Sequence, residues 1–180
     1  MNSHSDSPIA IRPLETGDAD SARAIFAAAA GEPNPYAGRL RERLESALAA
    51  TSAEHRALVA VGGGEVIGIA VYGDVAGALG AGVLYAAAVA PEWVRRGAGA
   101  ALLRAVEDQL TLRGARVAIA ELPDEVNVEP MRRLLLAGGF HEESRIADYY
   151  RDGVALVFMR HDLVPRRGRS RPPDLEAQPS

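Results

Sequence analysis

Between residues 83 and 106 three different kinds of local sequence follow one another without a gap. An apolar run, Val83–Ala90, leads into a short turn, Val94-Arg95-Arg96-Gly97-Ala98-Gly99-Ala100. The helix-forming segment Ala101-Leu102-Leu103-Arg104-Ala105-Val106 comes directly after it. A strand that feeds a glycine turn and then a helix aims several unpaired backbone N–H groups at one point, with the positive end of a helix dipole behind them. Gly97 and Gly99 carry no Cβ, so a bulky anion can come close to the main chain. Arg95 and Arg96 add side-chain charge at the same corner. The arrangement suits the two linked phosphates of a nucleotide-bearing ligand. Glycine also simply ends strands and permits tight turns, so the local pattern by itself leaves a structural turn open as well.

Two common phosphate-binding motifs are excluded at this corner. A P-loop needs Lys followed by Ser or Thr, and the chain contains no Lys. A dinucleotide fingerprint needs a third glycine three residues after Gly99, where Leu102 stands. At 180 residues the chain has the size of one domain with a sizeable core. It has no Cys, which removes disulfides, thiolate metal sites and a cysteine acyl-enzyme. His4, His55, His141 and His161 show no metal-ligand spacing, so no metal is expected. A net charge of −4 argues against general nucleic-acid binding, and no stretch is long and apolar enough for a membrane span. The first residues read as a short flexible start (1–8) without a secretion signal, which makes the cytoplasm the expected location. Residues 164–180 carry four arginines against one Asp and one Glu, with four prolines, and read as a disordered tail.

Periodicity gives alternating elements. Ile9–Arg12 reads as a strand, Thr16-Gly17-Asp18 as a turn and N-cap, and Ala19–Ala30 as a helix. Arg39–Ala50 has helical spacing with Leu40, Leu44 and Leu48 on one face. Ala57–Val61 and Val66–Tyr72 flank three glycines as a hairpin, and Val83–Val89 is the next strand. Ala98–Arg113 reads as a helix, Arg116–Leu122 as a strand and Glu129–Ala137 as a helix. Glu142–Tyr150 with Val154–Arg160 closes the chain as a hairpin around Asp152-Gly153.

Ala88-Val89-Ala90-Pro91-Glu92-Trp93-Val94-Arg95-Arg96-Gly97-Ala98-Gly99-Ala100-Ala101-Leu102-Leu103 resembles the signature of the GNAT superfamily of N-acetyltransferases. That signature is a strand ending V-x-P, then Q/R-x-x-G-x-G/A, then a helix opening on small residues and Leu-Leu. The chain departs from it at Val94, where the family has Gln or Arg. Gly138-Gly139-Phe140, preceded by Met131-Arg132-Arg133-Leu134, is similar to the family's helix-then-Gly-Phe segment. The resemblance spans 9–163 and implies an α/β (α+β) fold, a mixed central sheet of about seven strands flanked by about four helices. It implies acetyl-CoA as acyl donor, with the main chain of Ala87, Ala88 and Val89 holding the pantetheine arm between two splayed parallel strands. Arg95, Arg96, Gly97, Ala98, Gly99 and Ala100 would hold the pyrophosphate.

The implied chemistry is direct attack of a neutral amine on a thioester. It needs a base for the amine, a donor for the developing oxyanion and a proton for the leaving thiolate. Ala120-Glu121-Leu122 is similar to the pattern of the bacterial protein-acetyltransferase branch, which implies Glu121 as base. That pattern also carries Asn127, a further expected cofactor contact, although Asn127 and Met131 lie one and two residues further along than the pattern has them. The family's other base position is occupied by Leu84 or Tyr85, and its usual acidic Tyr by Leu135. Tyr149 and Tyr150 on the closing hairpin are the substitute acids, and Tyr36 is a candidate for the acceptor pocket. Glu42, Glu45 and Asp124-Glu125 would suit a cationic amine, so the expected acceptor is a small-molecule amine or a protein lysine or N-terminus. A homodimer is also in keeping with the resemblance. A protein that kept the fold but lost the chemistry, serving as an acyl-CoA sensor or partner-binding module, is the alternative that Leu135 favours and Glu121 opposes.

Overall fold

The computed structural model describes residues 8–30, 35–49 and 54–163. The expectations for residues 1–7 and for the tail 164–180 therefore lie outside the described residues, as does His4. Seven strands form a single sheet in the order β1-β2-β3-β4-β5-β7-β6. Their ranges are β1 Ala10–Pro13, β2 Arg56–Gly62, β3 Glu65–Asp74, β4 Ala81–Val89, β5 Val117–Pro123, β6 His141–Arg151 and β7 Val154–Asp162. The four α-helices among the described residues are α1 Ala19–Ala30, α2 Pro35–Leu48, α3 Ala98–Leu112 and α4 Glu129–Ala137. The expected order of elements and the mixed sheet are both present. α2 differs most, starting four residues before the expected Arg39, because Pro35 supplies a preset φ and lacks only an N–H that a first helical turn leaves unbonded anyway.

β4 and β5 are the one parallel pair; their neighbours run antiparallel. The helices cover both faces. A Cβ placed on Gly82 would lie 2.4 Å from Leu110 of α3, whereas Tyr85, three residues along the same strand, meets Arg43 of α2. The two positions thus meet helices on opposite faces of the sheet. Under α3 the core is built from Leu102, Leu103, Val106 and Leu110, none more than 2% exposed. Phe26 of α1 and Leu44 of α2 fill the other face. Each such side chain contributes about 1.5–3 kcal/mol by leaving water.

Asp18 sits in a 3-10 turn before α1 and plays a different part from the forward N-cap expected of it. Its carboxylate reaches back, accepting from the Glu15 N–H at 2.8 Å and from both terminal nitrogens of Arg12 at 2.6 and 2.8 Å. Among the described residues it is the one buried charged side chain, 7% exposed, and the Arg12 bonds hold its carboxyl below the usual carboxylate range against the opposing effect of burial. A depressed native pKa gives stability that is present above the unfolded value and is lost as pH falls through the native one. Asp18→Asn is therefore expected to cost about 2 kcal/mol in urea unfolding at pH 7. The difference from the parent should shrink steadily below about pH 4. A gap of equal size at pH 7 and pH 2.5 would contradict the linkage.

Candidate active site

β4 and β5 are in register only at Ala81↔Val117, Gly82↔Ala118 and Val83↔Ile119. Beyond those three pairs they part. β4 stays with β3 as far as Val89↔Gly68, and β5 stays with β7 as far as Pro123↔Leu156. The cause lies at Tyr85. Tyr72 pairs with Leu84 and Val71 with Ala86, so Tyr85 is an extra residue, a bulge two positions beyond Val83, the last residue of β4 paired with β5. A bulge bends its strand and increases the local twist, which turns the rest of β4 away from β5. From Leu84 to Val89 the edge of β4 toward β5 therefore has no strand partner, and Ala87, Ala88 and Val89 lie on that open edge.

The open edge leads into the glycine corner. Pro91–Trp93 form a 3-10 turn, and Trp93 is buried at 7% exposure, with Arg96 stacked 5.3 Å from its ring centroid. Gly62 makes room for Trp93, since a Cβ there would lie 2.9 Å from the indole. Arg95 has φ +62° and Gly97 φ +90°, so the chain turns through the left-handed region twice before α3 begins. The first intrahelical bond of α3 runs from the Ala101 N–H to the Gly97 carbonyl at 2.9 Å. The N–H groups of Ala98, Gly99 and Ala100 are thus without intrahelical acceptors and available to an anion. Space above the corner is open, because a Cβ built on Gly97 meets nothing within 4 Å. Gly99 is different: it has an ordinary φ, and a Cβ there would make normal contact with Leu134 at 3.4 Å. The requirement for glycine rests on Gly97.

The far side of the gap carries Glu121, paired with Phe158 of β7. Tyr36, from the first turn of α2, donates from its hydroxyl to the Glu121 carbonyl at 2.9 Å. The ring of Tyr36 meets Tyr150 edge-on at 5.6 Å, and Tyr150 meets Tyr149 at 5.0 Å. Burial raises the phenols of Tyr36, Tyr85 and Tyr150 above their ordinary value, and the Glu121 charge adds to each shift. Tyr36 thus bridges the end of β5 at Glu121 to Tyr150 of β6. The Tyr150 hydroxyl is buried without a hydrogen-bond partner, while Tyr149 is half exposed. Arg39 stands over the Tyr150 ring at 5.6 Å and Arg43 over the Tyr85 ring at 4.0 Å. His55 lies 5.1 Å from Tyr85, bonded through Nδ1 to the Ser46 hydroxyl at 3.0 Å, and burial lowers its pKa, with Arg43 helping.

The structure thus brings Glu121, Tyr36 and Tyr150 together, with Tyr149 one ring further out. Asn127 sits exposed in the 3-10 turn Val126–Val128 between β5 and α4. Tyr149 and Tyr150 reach the site through an irregularity in β6. Ile146 pairs with Leu156 and Arg151 with Val154, leaving four residues bulged out, Asp148 among them at φ +53° with its carboxylate accepting from the Gly153 N–H at 2.7 Å. The acids expected to attract a cationic amine are otherwise engaged. Glu45 pairs with Arg23 at 2.7 Å, Asp124 with Arg145, and Glu125 with Arg151 at 2.6 Å; Glu42 is exposed. Tyr85, Arg39, Arg43 and His55 are the neighbours that sequence reasoning missed. The four-residue spacing of Arg39 and Arg43 was the one available signal, since it puts both on one helix face.

Leu135 is fully buried in the core, and Phe140 behind it is 3% exposed. A tyrosine at 135 would have to be packed into filled space. Leu135→Tyr is therefore expected to lower stability by about 1–3 kcal/mol without accelerating turnover. A rate gain at unchanged melting temperature would show that the position opens onto the site.

Among the described residues no group of three or more His, Asp or Glu side chains is placed to hold a metal, and no helix is long and apolar enough to cross a membrane. The family model for the acetyltransferase (GNAT) family matches residues 21–140. A protein from Desulfovibrio desulfuricans assigned to the GNAT family of acetyltransferases superposes with a TM-score of 0.78 at 28% identity, over 87% of this chain and all of that one. yncA of Salmonella typhimurium, assigned as an acetyltransferase and solved with its cofactor acetyl-CoA, has a TM-score of 0.70 at 20% identity, over 89% and 96% of the two chains. The ribosomal-protein-S18-alanine N-acetyltransferase of Escherichia coli has a TM-score of 0.68 at 22% identity, over 87% and 94%. A comparison with curated proteins finds no match.

Proposed function

The chain belongs to the acetyltransferase (GNAT) family and is an acyltransferase, and from that premise we propose that it passes an acetyl group directly to a primary amine, with Glu121 as base and Tyr150 as acid. Acetyl-CoA supplies the activated acyl group as a thioester. The observation that carries this reading is the continuity of the open β4 edge with the amides of Ala98, Gly99 and Ala100, a groove followed by an anion cradle. Its main chain at Ala87–Val89 would pair with the amide groups of a pantetheine arm as an added strand does. Arg95 and Arg96 would add charge beside the pyrophosphate, and Asn127 would close the cradle from the β5–α4 connection.

The amine nitrogen bonds to the acetyl carbon, the carbon–sulfur bond breaks, and the thiol leaves with a proton. Glu121 accepts the proton that the amine loses. Tyr150 serves better than Tyr149 as the donor to sulfur, because its hydroxyl is buried and kept protonated by its raised pKa. Amine-dependent release of free thiol from acetyl-CoA tests the proposal, with calorimetry on acetyl-CoA alone alongside. Saturable cofactor binding without thiol release from any amine would favour a degenerate acyl-CoA binder instead.

A further inference from the structure

Arg39 and Arg43 lie one turn apart on α2, over the rings of Tyr150 and Tyr85 at 5.6 and 4.0 Å. Tyr36 of the same helix meets Tyr150 edge-on and donates to the Glu121 carbonyl, so α2 brings both arginines to the end of β5 that carries Glu121. Neither arginine forms a salt bridge among the described residues, in contrast to Arg12, Arg23, Arg113 and Arg145, each of which is held by a carboxylate. A guanidinium held over a ring face, as Arg43 is at 4.0 Å, can still donate two parallel bonds from its N–H edge to a planar anion. The charges acting on these rings are Arg39 and Arg43 from α2, Glu121 from β5 and, on Tyr85, Asp74 from the end of β3. Glu54, exposed at the entrance to β2, also reaches Tyr85 and His55, and His55 itself is pushed toward the neutral form.

We infer that the acceptor is a free amino acid: a primary amine with a carboxylate on the same small molecule and an apolar or aromatic side chain. This rests on the acetyl-transfer reading and narrows its substrate. The amine lies toward Glu121, the carboxylate toward Arg39 and Arg43, and the side chain among Tyr36, Tyr85 and Tyr150. The products are the N-acetylated amino acid and free thiol, with the amine proton passed to Glu121. A polyamine would place further ammonium groups against two guanidiniums at close range, which costs rather than contributes binding energy.

The test has a binding arm and a turnover arm. L-phenylalanine, L-leucine, their carboxamides and spermidine are titrated calorimetrically into the protein saturated with coenzyme A, and each is assayed for thiol release from acetyl-CoA. The amino acids are expected to bind at least about tenfold more tightly than their amides. Arg43→Met should remove that preference by raising KM for the amino acid at least about tenfold, with kcat and acetyl-CoA affinity little changed. Arg39→Met is the second variant, should the first fold poorly by circular dichroism. Amides that bind as well as amino acids, or a preference for spermidine, would overturn the inference while leaving acetyl transfer intact. Amino acids that bind selectively but release no thiol would uphold the pocket and overturn the transfer reading beneath it.

Discussion

Glu121→Gln is expected to lower kcat by about 100-fold, the low end of the range for loss of a general base, while the affinity for acetyl-CoA should stay within about twofold. The amide is the same size as the carboxylate, so the backbone pairing of Glu121 with Phe158 and the bond its carbonyl accepts from Tyr36 both survive. What changes is the ability to take a proton from an amine. Stopped-time thiol assays give kcat, and calorimetry on the same preparation gives cofactor affinity. A split between the two is the diagnostic result, because a merely misfolded protein would lose both together. A variant with unchanged kcat would remove Glu121 from the mechanism and leave His55, kept toward its neutral form by burial and Arg43, as the group to examine.

Gly97→Val is expected to weaken acetyl-CoA binding by about 30-fold with little loss of global stability. At φ +90° a β-branched residue is strained by about 1–3 kcal/mol, and the backbone escapes that strain only by leaving the left-handed region. Such a change swings the N–H groups of Ala98, Gly99 and Ala100 off a common target. The side chain itself meets no protein atom, since the space beside Gly97 is open, so the core is untouched. Gly99→Ala is the matched control. Its Cβ makes an ordinary contact with Leu134, and alanine favours the helix it opens, so cofactor affinity should hold and the melting temperature should rise slightly. Equal affinity for acetyl-CoA in the parent and Gly97→Val would mean that this corner does not hold the phosphates.

The acceptor wall was far less legible in the sequence than the cofactor wall. The corner around Gly97 is local: its strand, turn and helix are consecutive, so glycine placement and helix-forming residues are enough to find it. The acceptor side is assembled from α2, β4, β5 and β6, which are more than 100 residues apart at their extremes. In the sequence Arg39 and Arg43 are only two charged positions on a helix whose apolar face is marked by Leu40, Leu44 and Leu48. They gain their meaning only because α2 docks across β4 and sets Arg43 over Tyr85. Glu45, Asp124 and Glu125 looked available to a cationic substrate, yet each had an arginine waiting in another element. Tyr149 and Tyr150 sit in a polar strand whose alternation gives no hint of four bulged residues, and that bulge decides which ring turns inward.

By itself the sequence determined the order and type of the elements, the glycine turn between β4 and α3, and the place of Glu121 near the end of β5. These are set by periodicity, glycine conformation and motif spacing, all of which act over a few residues. Tertiary structure alone decided that β4 leaves β5 after Val83, because a bulge exists only relative to the strand it is paired with. It also decided which arginines are paired, because that depends on whether the fold brings a carboxylate within reach.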